Sequence, residues 1–288
     1  LASFNAVGIR SNGDGASSSS DVNAASIAFR STNGIGTSGD ELEVNATSAL
    51  AFFNETAGDV YVRDVAGGLV IDDVDSLTES ENETGVVTIT ALSPLTVAHD
   101  VTASGDILMT ATDSAAAGDN LTVNTLVTVE STGANVTLRA GDNLFLIDSS
   151  NVIADSGLVT LLGDFWTGTD PDVGTGSLMN LFGTISSGSQ AVVNGHDDDD
   201  FINLNPGVGH FATSILLDGQ EGSDTYTVQF GRLLAPSAVS VDVEDSGTGD
   251  DDVLTTNGTS DPEEVNIFNS DGDDGSDLAG GFVQITAN

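Results

Sequence analysis

The sequence lacks cysteine and lysine, and it contains only three histidines, His99, His196 and His210. Without thiols or closely spaced histidines, we expect neither zinc nor iron–sulfur chemistry. There is also no run of 18 apolar residues, which is about the shortest length that spans a bilayer as a helix. We therefore expect no membrane insertion.

Basic residues are nearly absent. The chain of 288 residues has 45 Asp and Glu against five Lys and Arg in total, for a formal net charge of −40. Such a surface repels nucleic acid and anionic lipid and attracts divalent cations, so a nucleic-acid partner is not expected. Hydrophobic residues make up 39% of the chain, more than a disordered acidic segment usually carries, and we therefore expect a folded protein.

A glycine followed by a short alternating apolar segment recurs along the first part of the chain. Successive segments start 27, 20, 28 and 24 residues apart, and a repeat of this length is typical of solenoids. The segments are GDVYVR (58–63), GVVTIT (85–90), GDILMT (105–110), GANVTLRA (133–140) and GLVTLL (157–162).

Residues 133–156 divide into three segments of eight, GANVTLRA, GDNLFLID and SSNVIADS, each a turn followed by a strand. Alternation predicts that Val136, Leu138, Leu144, Leu146 and Val152 point inward, and that Thr137, Arg139 and Phe145 point outward. We predict an all-β fold, a right-handed parallel β-helix with three strands per coil of about 20–28 residues, and roughly 11 coils. An antiparallel β-sandwich array is the alternative, because short strands at regular spacing fit it too.

From about residue 190 the turns become acidic. NGHDDDDFI (194–202), DGQEGSDTY (218–226) and SGTGDDDVL (246–254) each place glycine before aspartate and an apolar residue, and DGDDGSD (271–277) is a looser fourth copy. Hard carboxylate oxygens suit Ca²⁺, although solvated turn residues would give a similar pattern. The turns resemble the calcium-binding nonapeptides of RTX (hemolysin-type) proteins. That resemblance implies metal ligands among Asp198, Asp200, Asp224, Asp251, Asp274 and Asp277, with Ile202, Tyr226 and Val253 buried behind them.

The stretch GANVTLRAGDNLFLIDSSNVIADSGLVTLLGDF resembles the β-helical repeats of filamentous-haemagglutinin-type adhesins, giant bacterial surface proteins. The resemblance implies a haemagglutinin-like β-helix over residues 1–190, continued over 191–288 by coils with RTX-like turns. It also implies a secreted or cell-surface, structural and adhesive role. We expect both ends to continue into further coils or to meet identical copies, because the terminal GGFVQITAN is itself strand-like.

Polysaccharide lyases and hydrolases also use β-helices, and such an enzyme is the alternative function. We expect no enzyme, because lysine is missing and the five arginines lie in separate repeats, whereas β-helical lyases need a basic residue. The loop GDFWTGTDPDVGTG (163–176) carries the only Trp, Trp166, beside Phe165. These rings are candidates for contact with a glycan, a cell-surface polymer or another partner, with packing over the core as the alternative.

Overall fold

A computed structural model describes residues 1–13, 19–205, 214–229, 240–244, 246–247 and 252–257, together with the backbone of Phe282–Thr286. All regular structure in these residues is β, and the parallel strands stack into a solenoid of about nine turns. No helix in the described part of the chain is long and apolar enough to cross a membrane.

The strands are short where the glycine-led repeat is regular and long near the N-terminus. In chain order they are β1 (Ala2–Ala6), β2 (Val22–Ile35), β3 (Leu42–Asp64), β4 (Leu69–Ile71), β5 (Glu79–Asn82), β6 (Val87–Ala91), β7 (Leu95–Val97), β8 (Asp100–Ala103), β9 (Ile107–Ala111), β10 (Leu121–Val123), β11 (Thr128–Ser131), β12 (Val136–Ala140), β13 (Leu144–Leu146), β14 (Asn151–Ala154), β15 (Val159–Leu162), β16 (Leu178–Leu181), β17 (Thr184–Ser187), β18 (Ala191–His196), β19 (Phe201–Leu204), β20 (Ser214–Gln220), β21 (Thr225–Gln229), β22 (Ser240–Glu244), β23 (Val253–Asn257) and β24 (Phe282–Thr286).

Each regular coil contributes one strand to each of three faces. Face A contains β4, β7, β10, β13, β16, β19, β21, β23 and β24. Face B runs from β5 through β8, β11 and β14 to β17, and face C runs from β6 through β9, β12, β15, β18 and β20 to β22. The long strand β3 reaches all three faces, because it pairs with β4, β5 and β6. The predicted parallel solenoid with three strands per coil is confirmed.

Aliphatic rows form the core along the axis. Val136, Leu138, Leu144, Leu146 and Val152 have no exposed surface, as their alternation predicted, and the outward Thr137, Arg139 and Phe145 are only partly buried. Because the strands are parallel and in register, Leu138 lies between Met109 of the coil below and Leu161 of the coil above. Burial of such a side chain contributes roughly 1.5–3 kcal/mol, which makes these rows the main source of cohesion.

The described residues form about nine turns, whereas roughly 11 coils were predicted for the whole chain. The estimate assumed about 25 residues in each coil, but Leu144 pairs with Met179, 35 residues further along. The additional residues lie in the loop 163–177, between β15 and β16. A corner accepts such an insertion because the strands before and after it still stack on their neighbours.

The aliphatic rows predict a position-specific cost of truncation. Leu138→Ala should lower the free energy of unfolding by about 2–5 kcal/mol, because the cavity opens between two neighbouring coils. Thr137→Ala, on the outward side of the same strand, should change it by less than ~1 kcal/mol. Urea unfolding followed by circular dichroism measures both, and similar losses for the two variants would contradict the assigned orientation.

Candidate cation-binding corner

Most of the buried acidic side chains among the described residues lie at the corner that joins face C to face A. We call it the acidic corner and define it by Asp113, Asp119, Asp142, Asp164, Asp170, Asp172, Asp198, Asp199, Asp200, Asp224 and Asp252. Asp164 is 1% exposed and Asp224 is fully buried, although aspartate is rarely buried without a partner. Burial of these carboxyl groups makes the acidic corner the candidate ligand-binding site.

The upper part of the acidic corner is a ladder of carboxylates, one per coil. Oδ1 of Asp200 accepts hydrogen bonds from the backbone N–H and the hydroxyl of Ser177, at 2.6 and 2.7 Å. Oδ1 of Asp224 accepts the N–H of Asp200 at 2.8 Å, and Oδ1 of Asp252 accepts the N–H of Asp224 at 2.9 Å. One oxygen of each carboxylate thus ties its own coil to the coil before it.

The second oxygen of the carboxylate explains why glycine precedes aspartate by five residues. A Cβ added to Gly195 would lie 1.8 Å from Oδ2 of Asp200, and one added to Gly219 would lie 1.6 Å from Oδ2 of Asp224. Only glycine leaves room for the carboxylate to fold back over its own turn. The glycine is therefore required by packing against the aspartate.

The lower part of the acidic corner was not predicted from the sequence. Asp113 lies in the corner after β9, and Asp119 and Asp142 lie two residues before β10 and β13, respectively. Asp170 and Asp172 belong to the loop 163–177. One oxygen each from Asp113, Asp119 and Asp142 lie within 4.8 Å of one another, and the same holds for Asp113, Asp170 and Asp172. The recurrence of GDN at 118–120 and 141–143 was the signal that Asp119 and Asp142 stack.

In the part of the chain that the structure describes, buried carboxylate oxygens without a hydrogen-bond partner are confined to the acidic corner. Among the described residues there are eight such atoms, and they are Asp113 Oδ1 and Oδ2, Asp119 Oδ2, Asp164 Oδ1 and Oδ2, Asp172 Oδ1, Asp200 Oδ2 and Asp224 Oδ2. A buried polar atom without a partner costs roughly 1–3 kcal/mol, and more if it is charged. None of the ion pairs in the described part of the chain involves these six residues.

Burial and mutual repulsion raise the pKa values of the same carboxyl groups. Desolvation is the largest cause in each case, and neighbouring aspartates add to it. The pKa of Asp164 rises to about 9, with Asp200 as the largest contributor after desolvation, and that of Asp224 rises to about 8. The pKa values of Asp113 and Asp200 rise to about 7. At neutral pH the corner therefore needs either protons or cations to compensate its charge.

The structure locates three of the six sequence-predicted ligands, and their binding of metal stays a prediction. Asp198, Asp200 and Asp224 all lie in the acidic corner, and Ile202 and Tyr226 are buried as predicted. Strand register places Asp252, one residue after the predicted Asp251, at the level of Asp224, and Val253 is only partly buried. The alignment was therefore one residue out of register, since Leu254 is the counterpart of Tyr226. Asp251, Asp274 and Asp277 lie outside the described residues.

The predicted partner-binding rings lie beside the acidic corner. The guanidinium carbon of Arg139 is 4.5 Å from the centre of the Phe165 ring, and the Trp166 ring is 5.0 Å from that of His196. Both aromatic residues are half-buried. The contacts hold the rings on the solenoid surface, and their role in partner binding stays a prediction.

Outside the acidic corner, three hydrogen-bonded side chains have the atom order of a Ser-His-Asp triad. Nε2 of His99 is 2.8 Å from the hydroxyl of Ser80, and Nδ1 of His99 is 3.2 Å from Oδ1 of Asp73. Ser80 is fully buried, however, and its hydroxyl accepts the N–H of Phe52 at 3.2 Å. A nucleophile must reach its substrate, so we interpret the hydrogen bonds among these three side chains as structural.

Comparisons with known proteins add no family to these observations. No protein-family model, no curated protein and no solved structure matches the chain. The functional argument therefore depends on the acidic corner itself.

The raised pKa values predict how stability depends on pH. A carboxyl group with a higher pKa in the folded protein than in the unfolded chain stabilises the fold at low pH, and this contribution is lost as pH rises through the folded value. In metal-free protein the free energy of unfolding should therefore fall between about pH 5 and pH 9, the window set by the values of about 7, 8 and 9.

Asp164→Asn should flatten the alkaline part of this profile, because the amide does not ionise. Asp155→Asn, at an exposed aspartate of a different corner, should leave the alkaline part of the profile unchanged. Urea titrations at a series of pH values in EDTA measure these slopes. Stability that stays constant or rises over this range would contradict the assigned burial.

Proposed function

We propose that the chain is a non-enzymatic structural segment of a larger extracellular or cell-surface protein, stabilised by Ca²⁺ bound along its acidic corner. One observation carries the proposal: all eight buried, unpartnered carboxylate oxygens of the described residues lie in that corner. Carboxylate oxygens are the ligands that Ca²⁺ prefers, and Ca²⁺ tolerates irregular coordination by six to eight oxygens. Mg²⁺ requires near-ideal octahedral geometry, which favours Ca²⁺ in a corner of uneven loops.

Bound calcium would also explain how the fold tolerates so many neighbouring carboxylates. Two carboxylates ~4 Å apart repel by roughly 4 kcal/mol at the effective dielectric of a protein surface. A divalent cation between stacked coils replaces that repulsion with attraction and completes the coordination of the unpartnered oxygens. Extracellular modules commonly bind Ca²⁺ with dissociation constants of roughly 10⁻⁴–10⁻³ M, which suits an external location.

The geometry of the solenoid supports the proposed structural role. Three faces of parallel strands form a rod in which each coil contacts the coils before and after it, and cations at one corner would link those coils a second time. We propose that further coils of the same protein, or identical copies, extend the rod. Adhesion through Phe165 and Trp166 to glycans or cell-surface polymers belongs to the same proposal, because aromatic rings stack on sugars and anchor interfaces.

Calcium should raise the melting temperature of the chain. At a free Ca²⁺ concentration 100-fold above the dissociation constant, one site adds ~2.7 kcal/mol to the free energy of unfolding. For a protein of this size that corresponds to a rise of about 5–10 °C relative to EDTA. Differential scanning calorimetry at constant ionic strength measures the rise, with equivalent Mg²⁺ as the comparison.

The double variant Asp200→Asn/Asp224→Asn should lose much of this response, because asparagine keeps the Oδ1 acceptor but not the charge. The matched control Asp155→Asn should respond like the wild-type chain. Identical melting curves in Ca²⁺ and EDTA would refute the calcium proposal. Release of reducing sugar from a polysaccharide by the intact chain would refute the non-enzymatic one.

A further inference from the structure

Two insertions surround one short turn at the lower end of the acidic corner. Residues 112–120 connect β9 to β10 and residues 163–177 connect β15 to β16, whereas residues 141–143 alone connect β12 to β13. A Cβ added to Gly141 would lie 2.5 Å from the Cα of Asp113. The first insertion therefore packs directly on the short turn, and it does so with an aspartate.

Five carboxylates meet there as two sets of three. Asp113, Asp119 and Asp142 form the inner set, and Asp113, Asp170 and Asp172 form the outer set. In each set, one oxygen per residue lies within 4.8 Å of the other two. This spacing allows three oxygens to contact one ion at about 2.3–2.6 Å, the distance that Ca²⁺ requires. Asp113 is the residue common to both sets.

The hydrogen bonds of the inner set leave particular atoms available. Oδ2 of Asp142 accepts the N–H groups of Gly118 and Asp119, the latter at 2.8 Å, so the backbone of the neighbouring coil fixes its orientation. Asp119 is only 7% exposed, and its Oδ2 is buried without a partner. Both oxygens of Asp113 are also buried and unpartnered. Buried acceptors that face one another in this way have the chemistry of a cation-binding site.

The arrangement differs from the ladder above it. In the ladder, one oxygen of Asp200 and one of Asp224 accept backbone N–H groups and only the other lacks a partner. At Asp113 neither oxygen accepts a hydrogen bond of good geometry, although the backbone N–H of Ser114 partly offsets the rise in the pKa of this carboxyl group, and each triad needs one oxygen of Asp113. A carboxylate with two available oxygens is the group that bridges two ions.

We propose that this cluster binds a pair of Ca²⁺ ions that share Asp113 as a bridging ligand. The inner ion is held by Asp113, Asp119 and Asp142, and the outer ion by Asp113, Asp170 and Asp172. Two ions carry a charge of +4 against the −5 of the five carboxylates, whereas one ion would leave most of the repulsion in place. The inference rests on the calcium chemistry of the proposed function but uses none of the RTX-like turns.

The pair would also fasten the loop 163–177 to the solenoid. Asp170 and Asp172 lie in that loop, so the outer ion joins it to the insertion that carries Asp113. Trp166 and Phe165 belong to the same loop. Binding of the outer ion would therefore fix the position of the loop that carries the two aromatic rings.

Counting bound Ca²⁺ in variants of the full chain tests the proposal. Equilibrium dialysis at neutral pH and saturating Ca²⁺, with the metal measured by atomic absorption, gives the number of ions per chain. Asp113→Asn should lose two ions relative to wild type, Asp119→Asn should lose one, and Asp170→Asn/Asp172→Asn should lose one. The control Asp155→Asn should lose none. Far-UV circular dichroism checks that each variant is folded.

An Asp113→Asn chain that binds as many ions as the control overturns the site, and a loss of only one ion overturns the sharing. If Asp113→Asn does not fold, the variants Asp119→Asn and Asp170→Asn/Asp172→Asn decide the matter, since an unchanged count in both overturns the pair. These results are separable from the proposed function. A calcium-dependent melting temperature that disappears in Asp200→Asn/Asp224→Asn, with an unchanged count in Asp113→Asn, keeps that function and rejects the pair.

Discussion

In-register stacking of parallel coils is the constraint on which the rest of this structure depends. Because each residue lies above its counterpart one coil away, about 4.8 Å along the axis, similar residues stack on similar residues. For Leu138 between Met109 and Leu161 the result is a continuous apolar row. For Asp200 beneath Asp224 it is a row of like charges. The same geometry therefore stabilises the core and concentrates charge at one corner.

The acidic corner combines three responses to that charge. Backbone N–H groups from the neighbouring coil stabilise one oxygen of each ladder carboxylate, as for Asp224. Glycines such as Gly219 make room for the other oxygen. Raised pKa values show that protons would compensate the remaining charge in the absence of metal, and Ca²⁺ is the compensation that we propose at neutral pH. Insertions turn the lower end of the row into a pocket of carboxylates.

The sequence predicted features that repeat at short range. The 24-residue unit 133–156 contained both the strand period and the turn residues, so its inward side chains and its three segments were predicted correctly. The spacing of Gly195 and Gly219 from their aspartates also placed Ile202 and Tyr226 in the core. Local alternation and turn chemistry were sufficient for these features, because each coil obeys the same rules as its neighbours.

Features that depend on insertions were not predictable in the same way. Asp113 and Asp172 are 59 residues apart in the sequence, and only the paths of two corner loops bring them together. The shift from Asp251 to Asp252 has a different cause, because Asp252 follows Gly247 by the same five residues that separate Gly219 from Asp224, so the sequence already contained the register that the strand pairing shows. Recurrence of GDN indicated that Asp119 lies over Asp142, but no local signal indicated that Asp113 would join them.

The central claim is that cations occupy the acidic corner at neutral pH. A crystal structure grown with Ca²⁺ and measured at a long wavelength would show calcium directly through its anomalous scattering. The account predicts anomalous peaks between Asp113, Asp119 and Asp142 and along the ladder at Asp200 and Asp224, at about 2.3–2.6 Å from the carboxylate oxygens. A well-ordered corner without any anomalous peak, in crystals containing millimolar Ca²⁺, would contradict it.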